Sequence, residues 1–242
     1  MSPYPLHEAC MNGDIAKVQD LIVTSSNLKQ DLIQRDLDER TPLHWATSFS
    51  HTEIITILLS HMQGIDLDTL VDEAGWTPVH IAASVGNLEI LKQFVERVPR
   101  PDLDLQTKQG VTALHLAVGK RHMELVKYLL LEQHVSTRIR DSRDQIALHR
   151  AAAVGSLKLV ELLCREGKSP VNWKDKKGWT PLFHALAEGH GDVGVLLVNE
   201  FGAETEIPEG NEAGEEKAGN LSALDVALNE QVKKYFLRNI EN

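Results

Sequence analysis

One six-residue phrase recurs seven times along the 242 residues, and that repetition limits the chain to architectures built by stacking like units. The clear copies are Tyr4-Pro5-Leu6-His7-Glu8-Ala9, Thr41-Pro42-Leu43-His44-Trp45-Ala46, Thr77-Pro78-Val79-His80-Ile81-Ala82 and Thr112-Ala113-Leu114-His115-Leu116-Ala117. Three follow: Ile146-Ala147-Leu148-His149-Arg150-Ala151, Thr180-Pro181-Leu182-Phe183-His184-Ala185 and the degraded Ser222-Ala223-Leu224-Asp225-Val226-Ala227. Their third positions are separated by 37, 36, 35, 34, 34 and 42 residues. A unit of this size cannot bury its own apolar face, so a core forms only where neighbours stack.

The phrase also dictates local structure. Thr or Ser ahead of a helix can cap its free N–H groups, and proline suits the first helical position, where a missing donor costs nothing. Four residues past the last alanine stands Gly13, Gly86, Gly155 or Gly189, with Ser50 and Arg121 in two other copies. Such a position suits a left-handed turn, which limits the first helix to about two turns. A second helix follows, with apolar residues at helical spacing such as Ile54, Ile55, Leu58 and Leu59, or Leu125, Val126, Leu129 and Leu130, or Leu159, Val160, Leu162 and Leu163. The period and the T-P-L-H-x-A phrase resemble the ankyrin repeat, a β-turn followed by two helices. The fold expected is all-α with short β-turn fingers, an ankyrin-repeat solenoid of about seven repeats forming a single domain over residues 1–242. The end repeats should be caps: the first lacks a preceding finger, and the last carries Asp225 for histidine and a charged helix from Asn229 to Arg238.

Composition excludes several classes. With 42% apolar residues the chain can bury a substantial core, yet no apolar run approaches the ~18 residues needed to cross a bilayer, and the N-terminus has no charged-then-apolar leader. Cys10 and Cys164 fall in repeats 1 and 5, too remote to bridge, which points to a reducing, intracellular setting. A net charge of −10 disfavours nucleic acid and anionic membrane surfaces as partners. Half of that charge sits in Ala203–Gly219, where six glutamates (204, 206, 209, 212, 215 and 216) face Lys217 alone. With Pro208, Gly210, Gly214 and Gly219, this stretch accounts for the 42-residue step and reads as a flexible acidic insertion, about 203–219, before the last repeat.

No catalytic constellation emerges. Gly189-x-Gly191-x-x-Gly194 meets the dinucleotide pattern literally, but lies between two helices instead of after a strand, and reads as a tight turn with close helix packing. His7, His44, His80, His115 and His149 recur once per repeat, on elements stacked about 8–10 Å apart, and so cannot share one metal ion. They read as structural hydrogen-bonding groups. Leu162-x-Cys164-x-Glu166 falls in a helix, where it cannot act as an extended peptide ligand. No nucleophile elbow, H-E-x-x-H, phosphate loop or cysteine cluster occurs, so the chain is expected to bind without converting, with no cofactor and no metal.

The binding surface of a stacked array is its concave side, lined by the fingers ahead of each phrase and by the first helices. Formal charge along the fingers is graded. Arg35, Asp36, Asp38, Glu39 and Arg40 give −1, and Asp72 with Glu73 gives −2. Lys108 gives +1, the finger around Arg143 +1, and Lys174, Asp175, Lys176 and Lys177 together +2. Trp45 and Phe49 lie on the exposed side of one first helix, Arg150 on that of another, and Trp76 and Trp179 precede the helix-start threonines. Aromatics flanked by charge make good interface anchors, and a sign gradient orients a partner.

Beyond the shared consensus, several segments are distinctive: Thr41–Ala46 after Asp36–Arg40, Gly110–Lys120, Gln145–Ala152 with Gly155–Leu159, and Gly178–Asp192. Together they resemble the gankyrin family of proteasome-assembly proteins, and its fungal members in particular, from Tyr4 to Leu237. The acidic insertion departs from that pattern. The resemblance implies a chaperone, monomeric when free and cytoplasmic and nuclear, which holds the C-terminal helical domain of one AAA+ ATPase subunit of the 19S base. It implies charged contacts at Asp38, Arg40 and Lys120 with Trp45 beside them. Position and charge add Asp36, Glu39, Phe49, Asp72, Glu73, Trp76, Lys108, Arg143, Arg150, Lys174 and Lys176. An ankyrin regulator of a cyclin-dependent kinase would use the same surface and stays open as the alternative.

Overall fold

The computed structural model describes residues 3–208 and 220–240. Six of the seven phrases open a short helix: α1 (Pro5–Asn12), α4 (Pro42–Ser48), α6 (Pro78–Val85), α8 (Ala113–Gly119), α10 (Ala147–Ala153) and α12 (Pro181–Ala187). Each is followed by a second helix: α2 (Ile15–Thr24), α5 (Thr52–His61), α7 (Leu88–Val95), α9 (Met123–Lys127), α11 (Leu157–Arg165) and α13 (Gly191–Phe201). A further turn, α3 (Leu28–Ile33), leads to the first finger, and α9 runs on as a π-helical turn over Tyr128–Glu132. The residues between the paired helices are all left-handed, with φ of 72° at Gly13, 83° at Gly86, 67° at Gly155 and 88° at Gly189. Ser50 (57°) and Arg121 (61°) take the same conformation despite carrying side chains.

The capping chemistry differs from a plain threonine cap. The histidine two residues past the proline position folds back, and its Nδ1 accepts from the threonine backbone N–H, at 3.1 Å in the Thr41–His44 pair and 3.2 Å in Thr77–His80. The threonine hydroxyl meets the same ring nitrogen at 2.8 and 2.9 Å. Nε2 then donates to a carbonyl of the following finger or the segment before it: His44 to Trp76 (3.1 Å), His80 to Leu105 (2.9 Å), His149 to Trp179 (3.2 Å), and His7 to both Gln34 and Arg40 (3.0 Å each). The recurrent histidines are therefore pins between successive repeats. The seventh phrase forms turns instead of a helix. It lacks both the proline and the histidine, and the Asp225 carboxylate accepts from the Ser222 N–H where repeats 2 to 5 use an imidazole ring.

The backbone divides into two compact units, 1–117 and 118–242. In the first, α1 packs on α4 and α4 on α6, while α2, α5 and α7 form the layer behind. Ile54, Ile55, Leu58, Ile90, Leu91 and Phe94 are fully buried there. In the second, α10 packs on α12, α11 on α13, and α13 on the last helix α14 (Glu230–Asn239). Gly191 and Gly194 are the close-packing positions: a Cβ at 194 would stand 2.8 Å from Leu186 and 3.2 Å from Phe236, and one at 191 would stand 2.9 Å from Tyr235. The glycine triplet is a left-handed turn at Gly189 followed by close helix packing at Gly191 and Gly194, as its setting between helices indicates. At the start of the acidic insertion, β1 (Glu206–Pro208) pairs antiparallel with β2 (Asn220–Ser222), which follows the insertion, and 209–219 lie outside the described residues.

Candidate functional site

Five fingers precede the helices, and all are made the same way. The residue opening each finger (Asp36, Asp72, Thr107, Asp141, Asp175) accepts at its carbonyl from the N–H three residues on, at 2.8–3.1 Å, and donates its N–H to the carbonyl four residues on, at 2.9–3.0 Å. The fourth residue is left-handed: Glu39 (59°), Gly75 (79°), Gly110 (72°), Asp144 (60°) and Gly178 (79°). This is the three-residue hairpin loop, a type I turn closed by a left-handed residue. Within each unit the fingers also bond side by side, Glu73 N–H to Asp38 carbonyl (3.1 Å), Lys108 to Ala74 (3.2 Å) and Lys176 to Arg143 (3.0 Å).

That geometry sorts the residues expected to bind a partner. Asp36 and Asp72, counted with the acidic fingers, turn inward. One oxygen of Asp36 accepts from the N–H of Asp38 (3.0 Å) and Arg40 (2.9 Å), and the other accepts from Trp45 Nε1 (2.6 Å). Asp72 is buried and accepts from the N–H of Ala74 and Trp76 at 2.9 Å and from Arg40 Nε at 3.2 Å. Their carboxylates shape the fingers, because two backbone N–H groups of each loop find their acceptor there. Asp141 and Asp175 do the same in the second unit. Burial would raise the Asp36 carboxyl, but hydrogen bonds from Trp45, Arg40 and Asp38 outweigh it and hold the group below the usual carboxylate range. Asp141 and Asp175 are lowered likewise, against burial, by donors led by Arg150 in the one and by Gln145 and His184 in the other.

Arg40 and Arg150 are also less free than finger and helix positions suggest. Arg40 keeps 28% of its side chain exposed, pairs with Asp72, and lies 5.0 Å over the Trp45 ring. Arg150 keeps 20% and donates to Asp141 at 2.9 Å. Arg35 spends its guanidinium on the Val71 and Thr69 carbonyls. Trp45 is half-buried and stacks at 6.4 Å on Phe49, which is 52% exposed, so Arg40, Trp45 and Phe49 form one continuous shelf. Trp76 and Lys174 are half-buried. Asp38, Glu39 and Glu73 project from the fingers of the first unit with Lys108, and Arg143 and Lys176 from those of the second, while Lys120 is exposed just past α8. Sequence reasoning missed His184. Phe183 takes the pin position in its phrase, which shifts the imidazole by one residue so that Nε2 donates to Asp175 at 2.9 Å beside Trp179.

Chemistry has little purchase here. Burial pushes the Cys10 and Cys164 thiols up to about 12, so neither is a ready nucleophile. The described histidines, cysteines and acids contain no group of three placed to hold a metal ion.

The fold and the fingers define an ankyrin-repeat protein, and the ankyrin-repeat family model matches residues 6–104, 62–141, 81–170 and 131–209. Among solved structures, the ankyrin repeat domain of Bcl-3 superposes with a TM-score of 0.74 at 26% identity, covering 97% of each chain. An ankyrin repeat-containing protein of Schizosaccharomyces pombe, C6C3.08, is 43% identical over 70% of this chain and 71% of its own. The "Probable 26S proteasome regulatory subunit p28" of Saccharomyces cerevisiae is 55% identical over 99% of this chain and all of its own length. The chain belongs to the gankyrin family of ankyrin-repeat proteins.

Proposed function

We propose that this chain is a non-catalytic partner of the 26S proteasome regulatory particle. It binds the C-terminal helical domain of one AAA+ ATPase subunit of the base through its finger tips and first-helix faces. The observation that carries the reading is the full-length relationship to the yeast protein named as a proteasome regulatory subunit. Finger chemistry supports it, since Asp38, Glu39 and Glu73 present carboxylates in one unit while Arg143, Lys176 and Lys177 present cations in the other. Basic groups of the partner would meet the carboxylates of the first unit and acidic groups the cations of the second, with Arg40, Trp45 and Phe49 as the apolar and cation–π anchor. Holding such a domain adds bulk beside the ATPase and delays docking on the core particle, in the cytoplasm and nucleus alike.

The test is binding of the whole chain to the isolated C-terminal domains of the six ATPases at low and moderate salt. One domain should bind selectively, with association slowed about tenfold by Asp38→Lys with Glu73→Lys, because reversing exposed charges acts mainly on the encounter rate. Absence of binding to all six would refute the reading.

A further inference from the structure

Among the second and third residues of the five fingers, all of them exposed, Ser142 alone carries a hydroxyl. It opens the tip of the finger 141–145, and among the described residues nothing hydrogen-bonds that hydroxyl. Exposure alternates along the residues leading to it as in an extended chain: Arg138 and Arg140 are exposed, Ile139 is half-buried and Asp141 is buried. Both guanidiniums lie over the Trp173 ring, 5.8 and 4.4 Å from its centroid, so they share one side. Arg143 follows with 67% of its side chain exposed, approaching Asp141 only to 4.0 Å. The acids beside Ser142 project little charge, since Asp141 is 2% exposed and accepts from Arg150 at 2.9 Å, and Asp144 is half-buried.

We propose that Ser142 is a phosphorylation site for an arginine-directed serine/threonine kinase, and that the phosphate weakens the hold of the finger tips on an acidic partner surface. The effect rests on the docking surface proposed above; the site does not. Kinases of this kind select substrates by pairing their own carboxylates with arginines flanking the acceptor, and here guanidiniums stand on both sides of it. The Ser142 oxygen attacks the γ-phosphorus of ATP, the bond from that phosphorus to the bridging oxygen of ADP breaks, and the hydroxyl proton passes to the kinase's catalytic aspartate. Phosphoserine carries about −1.5 to −2 at pH 7, which takes this tip from its +1 at Arg143 to about −1. The Lys176 N–H donates to the Arg143 carbonyl at 3.0 Å, so the tips of the fingers 141–145 and 175–179 lie side by side. A phosphate there competes with a partner's carboxylates for Arg143 and Lys176. The loop itself does not use the Ser142 side chain: Asp141 holds it by accepting from the Arg143 and Gln145 N–H groups at 2.8 and 3.0 Å. The modification therefore alters recognition without loosening the finger.

The full chain is incubated with ATP and a set of arginine-directed kinases, and phosphate is mapped by mass spectrometry, with Ser142→Ala as the control. Ser142 should be the principal site, and Arg138→Gln with Arg140→Gln should slow its modification at least tenfold. The chain phosphorylated at Ser142 and the unmodified chain are then titrated with the ATPase C-terminal domain that the unmodified chain binds. The phosphorylated form should bind at least tenfold more weakly at low salt, with a smaller difference at moderate salt and the same melting temperature. Failure of every such kinase to modify Ser142, or an undiminished rate in the double-glutamine variant, would overturn the site. Equal affinity of the two forms, or a lowered melting temperature of the phosphorylated one, would overturn the effect. Binding of the unmodified chain to none of the six domains would instead overturn the docking reading and the effect with it, while the site is still judged by the kinase result, which needs no partner.

Discussion

Lowering the pH from 7 to 5 should destabilise this protein, because its repeats are pinned by neutral histidines. His44 Nδ1 accepts from Thr41 while Nε2 donates to the Trp76 carbonyl, an arrangement only the neutral ring with its proton on Nε2 can make. Burial pushes the His44 pKa down to about 4, against the raising effect of the Trp76 bond, and burial together with repulsion from His184 does the same to His149. In the unfolded chain both return to about 6.5. The folded pKa is the lower one, so the unfolded state binds more protons between pH 4 and 6.5. The contribution is then complete above about 6.5 and is lost as pH falls toward 4. Between pH 7 and 5 the difference integrates to about 2 kcal/mol for each histidine, about 4 for the two. His7 and His80 are lowered by burial and act in the same direction, while the raised carboxyl of Asp68 opposes them. Urea unfolding at the two pH values gives the sum, and the imidazole resonances give each site. Stability equal within 1 kcal/mol at both pH values, or rings of His44 and His149 titrating near 6.5, would refute the pinning argument.

Three further perturbations address other parts of the fold. Gly194→Ala places a methyl 2.8 Å from Leu186 and 3.2 Å from Phe236, so it should cost about 1–3 kcal/mol and speed hydrogen exchange in α14 while leaving α4 protected. Arg40→Ala removes the cation from buried Asp72 and should cost about 1–2 kcal/mol in chemical unfolding, with Arg40→Glu costing more through repulsion. Retention of full stability by Arg40→Glu would show that the pair contributes nothing. Arg121→Gly relieves a left-handed residue and should raise stability by about 0.5–1 kcal/mol, read as an increase in melting temperature.

The repeat phrase carried the fold because each of its residues has one local task. Proline suits the helix start, histidine caps that start and pins the next repeat, and the residue four past alanine turns left-handed, whether it is Gly86, Ser50 or Arg121. The seventh phrase showed the limit, since without proline and histidine the same spacing gives only turns. The site was less legible because formal charge does not say where a side chain points. Asp36 and Asp72 counted toward an acidic surface, yet each is consumed by its own loop. A signal was available: an aspartate opens four of the five fingers, five residues ahead of the helix-start position, too regular a placement for a variable recognition residue. The His184 shift was also written in Thr180-Pro181-Leu182-Phe183-His184, where phenylalanine occupies the histidine place.

The common finger geometry separates what must be kept from what is free to recognise a partner. The opening residue is tied to backbone groups, the fourth is confined to the left-handed region, and the fifth feeds the helix cap or reaches the next finger, as Arg40 and Gln145 do. The second and third positions carry neither tie, and every one is exposed: Leu37 and Asp38, Glu73 and Ala74, Lys108 and Gln109, Ser142 and Arg143, Lys176 and Lys177. Counting those tips alone, the charges in chain order are −1, −1, +1, +1 and +2. The gradient persists after the inward aspartates are removed, so it belongs to exposed groups and not to groups the fold consumes. Reversing a tip should therefore change binding and its salt dependence with no effect on melting temperature. Replacing Asp36 or Asp175 by alanine should do the opposite, loosening the finger by about 1–3 kcal/mol through unsatisfied N–H groups and weakening binding at all salt concentrations. If tip and opening-residue variants proved indistinguishable in stability, the division between recognition and scaffold would be wrong.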